Sequence, residues 1–225
     1  MSCRKKLKWY ELVPLFSYLA LGGRCSGCKI RISKQYFWVE LITGLIFGGL
    51  FLKFQDLFLV NTLAFSVTMA FYATMFSLLV VIAVYDLKHK IIPDALALTL
   101  GILAFVGLFF FDNFGFSIHF PSLTQFLAGI LIPLPFALFW LVSKGKWMGL
   151  GDAKLAIGLG WLLGLSRGIS GVVVAFWIGA IVGIFLMILS KKKYGIKSEI
   201  PFAPFLVLGT ILAFLFELHI FPLIY

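Results

Sequence analysis

Seven long apolar runs separated by short polar or basic stretches set the pattern of this chain, at about 37–53, 62–85, 95–111, 123–142, 153–166, 168–190 and 202–221. The runs are continuous, without the alternation or one-faced periodicity of an element that meets water. In lipid a segment must satisfy its own backbone groups, which makes each run a predicted helix. Crossing a hydrocarbon core of about 30 Å takes roughly 17–25 helical residues. The fifth run is short and carries Gly158, Gly160 and Gly164. It is predicted either to cross a thinned region or to pack within the bundle. The expected fold is an all-α polytopic membrane bundle of about seven transmembrane helices, with residues 1–36 as a small cytoplasmic domain and 37–225 as the membrane-embedded domain.

Composition supports the pattern and excludes a soluble domain. Of the 225 residues, 62% are hydrophobic and 12% charged, against roughly 45–50% apolar in soluble proteins, and mean hydropathy is +1.08. The net charge of +10 is a matter of topology and not of nucleic-acid binding, because the basic residues cluster between the runs. With residues 1–36 in the cytoplasm and seven crossings, only Lys53 and Arg167 of the 19 Lys and Arg residues fall outside. That is the positive-inside bias. Residues 1–36 open with Arg4, Lys5, Lys6 and Lys8 and hold no continuous apolar core, so no cleavable signal peptide is expected. Cys3, Cys25 and Cys28 then face a reducing compartment, where metal binding or free thiols are expected over a disulfide.

Two acids carry the candidate chemistry. Asp86 follows the apolar run ending Val84-Tyr85, and Asp152 closes Gly149-Leu150-Gly151-Asp152 at the start of another run. An acid at membrane depth costs about 2.5–3.5 kcal/mol on insertion scales. The topology puts both at the cytoplasmic ends of helices, where they can meet. Two facing carboxylates do not both ionise easily, so one proton is shared and the pair can activate water and protonate a leaving amine. Asp152, at a helix N-terminus, is expected to be the more acidic partner. Gly149 and Gly151 fit a close approach of backbone, water or substrate. Taken singly, Asp152 also reads as an N-cap and Asp86 as a headgroup-level charge. Asp94 reads as an N-cap, and Asp56, Asp112, His119 and Glu217 as solvated groups near the outer face.

Several stretches together resemble the type IV prepilin peptidases, membrane aspartyl proteases with a Gly-x-Gly-Asp motif. They are Trp9-Tyr10-Glu11-Leu12-Val13-Pro14, Gly23-Arg24-Cys25-Ser26-Gly27-Cys28, Val39-Glu40-Leu41, Asp86 to Asp94, Gly149-Leu150-Gly151-Asp152-Ala153-Lys154, and Ile200-Pro201-Phe202-Ala203-Pro204-Phe205. The resemblance implies catalysis by Asp86 and Asp152, with Gly149, Gly151, Lys154, Pro201 and Pro204 supporting the site. It implies prepilin or pseudopilin substrates, cut after a leader glycine at the cytoplasmic face of the plasma (inner) membrane, and in many members N-methylation of the new amino terminus by S-adenosylmethionine. Proteolysis itself needs no cofactor. The family usually opens with a further transmembrane helix and a first CxxC, whereas this chain opens Met1-Ser2-Cys3, as though that start were truncated. Cys3, Cys25 and Cys28 give three thiolates toward a structural zinc site that takes four ligands.

Prolines at 201 and 204 mark a helix start, where missing amides cost little. The rival reading is a transporter or channel that relays protons or cations through membrane acids. Its acids belong near the midplane, whereas both acids here sit at one interface beside lysines.

Overall fold

The structure is a computed structural model that describes residues 6–112, 114–146, 148–189 and 200–220. By its contacts the chain forms two units, Met1–Gly49 and Leu50–Tyr225.

The first unit opens with a 3-10 turn, Trp9–Leu12, and a short helix α1, Phe16–Ala20, separated by Pro14. Residues 24–31 fold back as a hairpin: Arg24 bridges Arg31, and the Cys25 amide donates to the Ile30 carbonyl at 2.9 Å. Helix α2, Lys34–Val60, begins in this unit and runs on into the second. It is longer than its apolar run, so Lys53 and Asp56 lie within the helix and not in the outer loop expected for Asp56. Polar side chains end a lipid-facing run without ending backbone hydrogen bonding.

The second unit contains α3, Thr62–His89; α4, Asp94–Gly107; α5, Leu123–Leu131; α6, Leu134–Ser143; α7, Leu150–Leu163; α8, Leu165–Leu189; and α9, Ala203–Leu215. Among the described residues, four segments are long and apolar enough to cross a membrane: Lys34–Val60, Thr62–His89, Leu123–Ser143 and Leu165–Leu189. Each predicted run contains a helix. The fourth is broken at Pro133, whose ring cannot continue the hydrogen-bond ladder of α5. Asn61 caps α3, its side chain accepting from the Ala64 amide at 3.0 Å. Ser122 and Gln125 form a reciprocal capping box on α5.

Short strands β1, Phe111–Asp112, and β2, Gly115–Phe116, pair antiparallel after α4. Asp112, expected to be merely solvated, caps this hairpin by accepting from the amides of Phe114 and Gly115 at 2.8 and 3.0 Å.

Small residues bring α7 against its neighbours, as expected where lipid supplies no hydrophobic drive between helices. A methyl group on Gly160 would stand 2.4 Å from the Ala128 carbonyl oxygen of α5, and one on Gly158 3.0 Å from Leu100 of α4. Likewise α8 and α9 meet where a methyl on Gly209 would lie 2.2 Å from the Gly171 carbonyl oxygen. The glycine-rich run is therefore packed inside the bundle. Rings of Phe54, Tyr72, Phe76 and Phe214 fill the core beside α9, with Tyr72 and Phe214 centroids 4.7 Å apart.

Candidate functional site

Asp86 lies in the last turn of α3, and Asp152 is the third residue of α7. Both side chains are buried, at 5% and 8% exposure. They lie within electrostatic reach of each other, so the fold brings together the two acids singled out in sequence. Neither is an N-cap. Gly149 holds that position on α7 with extended backbone, and the Asp152 carboxylate reaches back toward its amide as the third residue of a capping box does.

The group that completes the site is one the sequence does not single out. The Ala203 amide, the first of α9, donates to the Asp86 carboxylate at 3.2 Å, and Ala203 is fully buried. Asp86 stands at the C-terminal end of α3, where the helix dipole disfavours an anion, and it obtains its donor from the N-terminus of a different helix. Each carboxylate is thus served by a helix N-terminus, and the dipole argument that singled out Asp152 applies to both. The signal for Ala203 lay in Pro201 and Pro204, which fix a helix start and hence a set of amides without intrahelical partners. Pro204 is in the first turn of α9, and Pro201 precedes it.

The two glycines of the motif do different things. A methyl on Gly151 would stand 3.0 Å from the Ile92 β-carbon, so a side chain here would push α7 away from the segment that follows α3. At Gly149 a methyl would meet Asp152 at 3.9 Å, an ordinary contact, and the backbone is extended. Gly149 is required by neither conformation nor room.

Lys154 does not reach the acids. Its ammonium bonds Asp94 at 2.7 Å and ties α7 to α4. Asp94 is accordingly not the cap of α4, a place taken by Pro93, but the first helical residue and half of an ion pair. The pair helps to line a groove of about 680 Å³ between α4 and α7, together with Leu98, Gly101, Ile102, Phe105, Ile157 and Trp161.

At the other end of α9, Glu217 pairs with Lys53 at 2.6 Å, and His219 with Ser166 at 2.9 Å. The Lys53 ammonium holds the Glu217 carboxyl below the usual glutamate range. Glu217 is therefore an anchor and not simply solvated.

In the first unit, Cys25 is half-buried and Cys28 exposed, both on the 24–31 hairpin, and Cys3 lies outside the described residues. Among the described residues no three of His, Cys, Asp and Glu gather as a metal site. The Cys25–Cys28 pair amounts to half of a tetrahedral zinc set.

Comparison with known proteins gives two family matches: the bacterial peptidase A24 N-terminal domain over residues 1–54, and the type IV leader peptidase family over residues 73–184. A prepilin leader peptidase/N-methyltransferase of Pseudomonas aeruginosa is 32% identical over 218 residues, covering 95% of this chain and 69% of the relative. The protein of the same name from Stutzerimonas stutzeri is 33% identical, with coverage of 95% and 69%. That from Bacillus subtilis is 27% identical, with coverage of 95% and 79%. No solved structure matches the chain significantly.

Proposed function

The chain belongs to the type IV leader peptidase family, and from that premise we propose that it removes the leader peptides of prepilins or pseudopilins at the cytoplasmic face of the plasma membrane, with Asp86 and Asp152 acting on the scissile bond. One observation carries the residue assignment. Two buried carboxylates on different helices lie within electrostatic reach of each other at helix ends, and one is fixed by the first amide of α9.

Peptide hydrolysis needs a base to take a proton from water as its oxygen attacks the carbonyl carbon, and an acid to stabilise the developing oxyanion. A carboxyl pair sharing one proton supplies both. The ionised member takes the water proton while the protonated member donates to the carbonyl oxygen. That water proton then goes to the amine nitrogen as the carbon–nitrogen bond breaks, and a hydroxyl of the tetrahedral intermediate returns a proton to the other aspartate, leaving a new carboxylic acid, a free amine and the pair again with one proton. The pair titrates as a unit.

The location of the acids supports a peptidase over a proton or cation relay, whose acids belong near the bilayer midplane. Asp86 is three residues from the end of α3, and Asp152 is the third residue of α7. The distribution of Lys and Arg supports a cytoplasmic N-terminus. Substrate would enter laterally from lipid, with its leader in the cytoplasm.

The relatives' shared name includes N-methylation. On this reading the methyl group would pass from S-adenosylmethionine to the amine freed by cleavage, and no residue of this chain is assigned to that step. Zinc would be held by Cys3, Cys25 and Cys28 with one further ligand, and no step of cleavage runs through it.

Cleavage of a co-expressed prepilin by wild type, Asp86→Asn and Asp152→Asn tests the pair. Each amide keeps the shape and loses the acid chemistry, and we expect cleavage to fall by about a hundredfold to ten-thousandfold in properly inserted protein. A wild-type rate from either variant would remove the dyad.

A further inference from the structure

Residues 6–20 precede the spanning helix α2, yet they expose large apolar side chains: Trp9 at 79%, Leu12 at 63%, Phe16 at 74% and Leu19 at 65%. Exposure of this kind is ordinary on a lipid-facing helix and costly in water. The segment is too short and too broken to cross a membrane, being a 3-10 turn and a five-residue helix on either side of Pro14.

Its level relative to the bilayer follows from its attachment to α2. The Leu15 amide donates to the Glu40 carboxylate at 2.8 Å, and the Tyr18 ring packs on Phe37 with centroids 5.4 Å apart. Glu40 is six residues beyond Lys34, about 9 Å along the helix. Exposed Tyr36 and Trp38 in the same turns are the residue types that mark a membrane–water boundary. The Glu11 carboxylate receives both the Lys8 amide, at 2.8 Å, and the Ser26 hydroxyl, which fastens the 3-10 turn to the hairpin. Exposed cations lie within the segment and on the hairpin and helix start that follow it: Lys6, Lys8, Arg24, Lys29, Arg31 and Lys34.

We propose that residues 6–20 lie in the headgroup region of the leaflet where α2 begins, as an interfacial segment with Trp9, Leu12, Phe16 and Leu19 inserted and these cations on anionic phospholipid. An apolar set rimmed by lysine and arginine at headgroup depth is what an interfacial anchor requires. The same contacts hold the Cys25–Cys28 hairpin against the membrane surface.

The test places photoreactive benzoylphenylalanine singly at positions 9, 12 and 16 of the full chain in vesicles of phosphatidylglycerol and phosphatidylcholine, with adducts read by mass. Position 18, whose ring faces Phe37, is the control. Lipid adducts at 9, 12 and 16 should exceed those at 18 by at least about tenfold, and should fall at least about twofold in pure phosphatidylcholine. Adducts to protein in place of lipid, whether a second copy or this chain, would overturn the proposal, as would a yield equal to the control. An equal yield in both vesicle types would overturn the role given to the cations.

Discussion

Replacing Gly160 by alanine tests how closely α7 and α5 are packed and whether that closeness matters to the acids. The added methyl would stand 2.4 Å from the Ala128 carbonyl oxygen and 2.9 Å from the Gly129 α-carbon, both backbone atoms that cannot turn aside. Reaching an ordinary contact near 3.4 Å takes a helix displacement of about 1 Å, and overpacking of this kind costs about 1–3 kcal/mol. Alanine offsets this by about 1 kcal/mol of helix propensity, so the net loss is up to about 2 kcal/mol. Gly44→Ala is the control, since its methyl meets nothing within 4 Å, and it should be neutral or stabilising by up to about 1 kcal/mol. Asp152 is eight residues from Gly160 on the same helix, about 12 Å along the axis. A 1 Å shift there should slow cleavage about tenfold to a hundredfold. Heat-induced loss of the near-ultraviolet dichroism signal in mild detergent reads the stability, and prepilin cleavage reads the site. Equal melting of Gly160→Ala and Gly44→Ala, with wild-type rates in both, would refute the argument that backbone contact sets the position of α7.

Asp86→Ala should be less stable than Asp86→Asn by about 1–3 kcal/mol, because the asparagine carbonyl still accepts from the buried Ala203 amide and alanine strands it; equal melting in detergent would mean that the amide finds another partner. Lys154→Met should leave cleavage within about threefold of wild type and show a coupling to Asp94→Ala of at most about 1 kcal/mol in a double-mutant cycle, as for other exposed ion pairs. A loss of a hundredfold or more would place Lys154 at the chemistry. Glu217, whose folded pKa is lowered by Lys53, contributes stability that is complete above the ordinary glutamate value of about 4.3 and is lost as pH falls through the lowered folded value. Wild type should therefore lose its advantage over Glu217→Gln on acidification below about pH 4.3, and a difference that does not change between pH 6 and 3 counts against the pairing.

The helices were legible in the sequence because lipid imposes a length and a composition on each crossing, and their ends were less so. The tail of α2 beyond Lys53 hides because hydropathy reports the solvent around a side chain and not the backbone beneath it. The hairpin at 111–116 hides for the opposite reason: its phenylalanines read as a continuation of the apolar run that ends α4. Both acids were visible as charges that needed a reason to be at a membrane boundary. Their electrostatic proximity was inferred from topology alone, and the fold supplies it. Ala203 could not be found by side-chain chemistry, since its contribution is a backbone amide. Lys154 was assigned to the neighbourhood of Asp152 by adjacency in the motif, yet two residues along a helix is more than half a turn, and its side chain points to α4 instead.

The unequal helix lengths have a consequence for how copies of this protein distribute in a membrane. Helix α4, whose Leu98 and Ile102 are exposed, has 14 residues, while α3 and α8 have 28 and 25, so the same bilayer meets elements of about 20 Å and about 40 Å. Hydrophobic mismatch costs fractions of a kcal/mol per Å, and a disagreement of about 10 Å with a 30 Å core adds up to a few kcal/mol of distorted lipid around each molecule. Two copies brought side by side would share part of that distorted annulus and so relieve it. Such an attraction would need no protein–protein contact, and a thicker membrane would raise the misfit of α4 while easing that of α3 and α8.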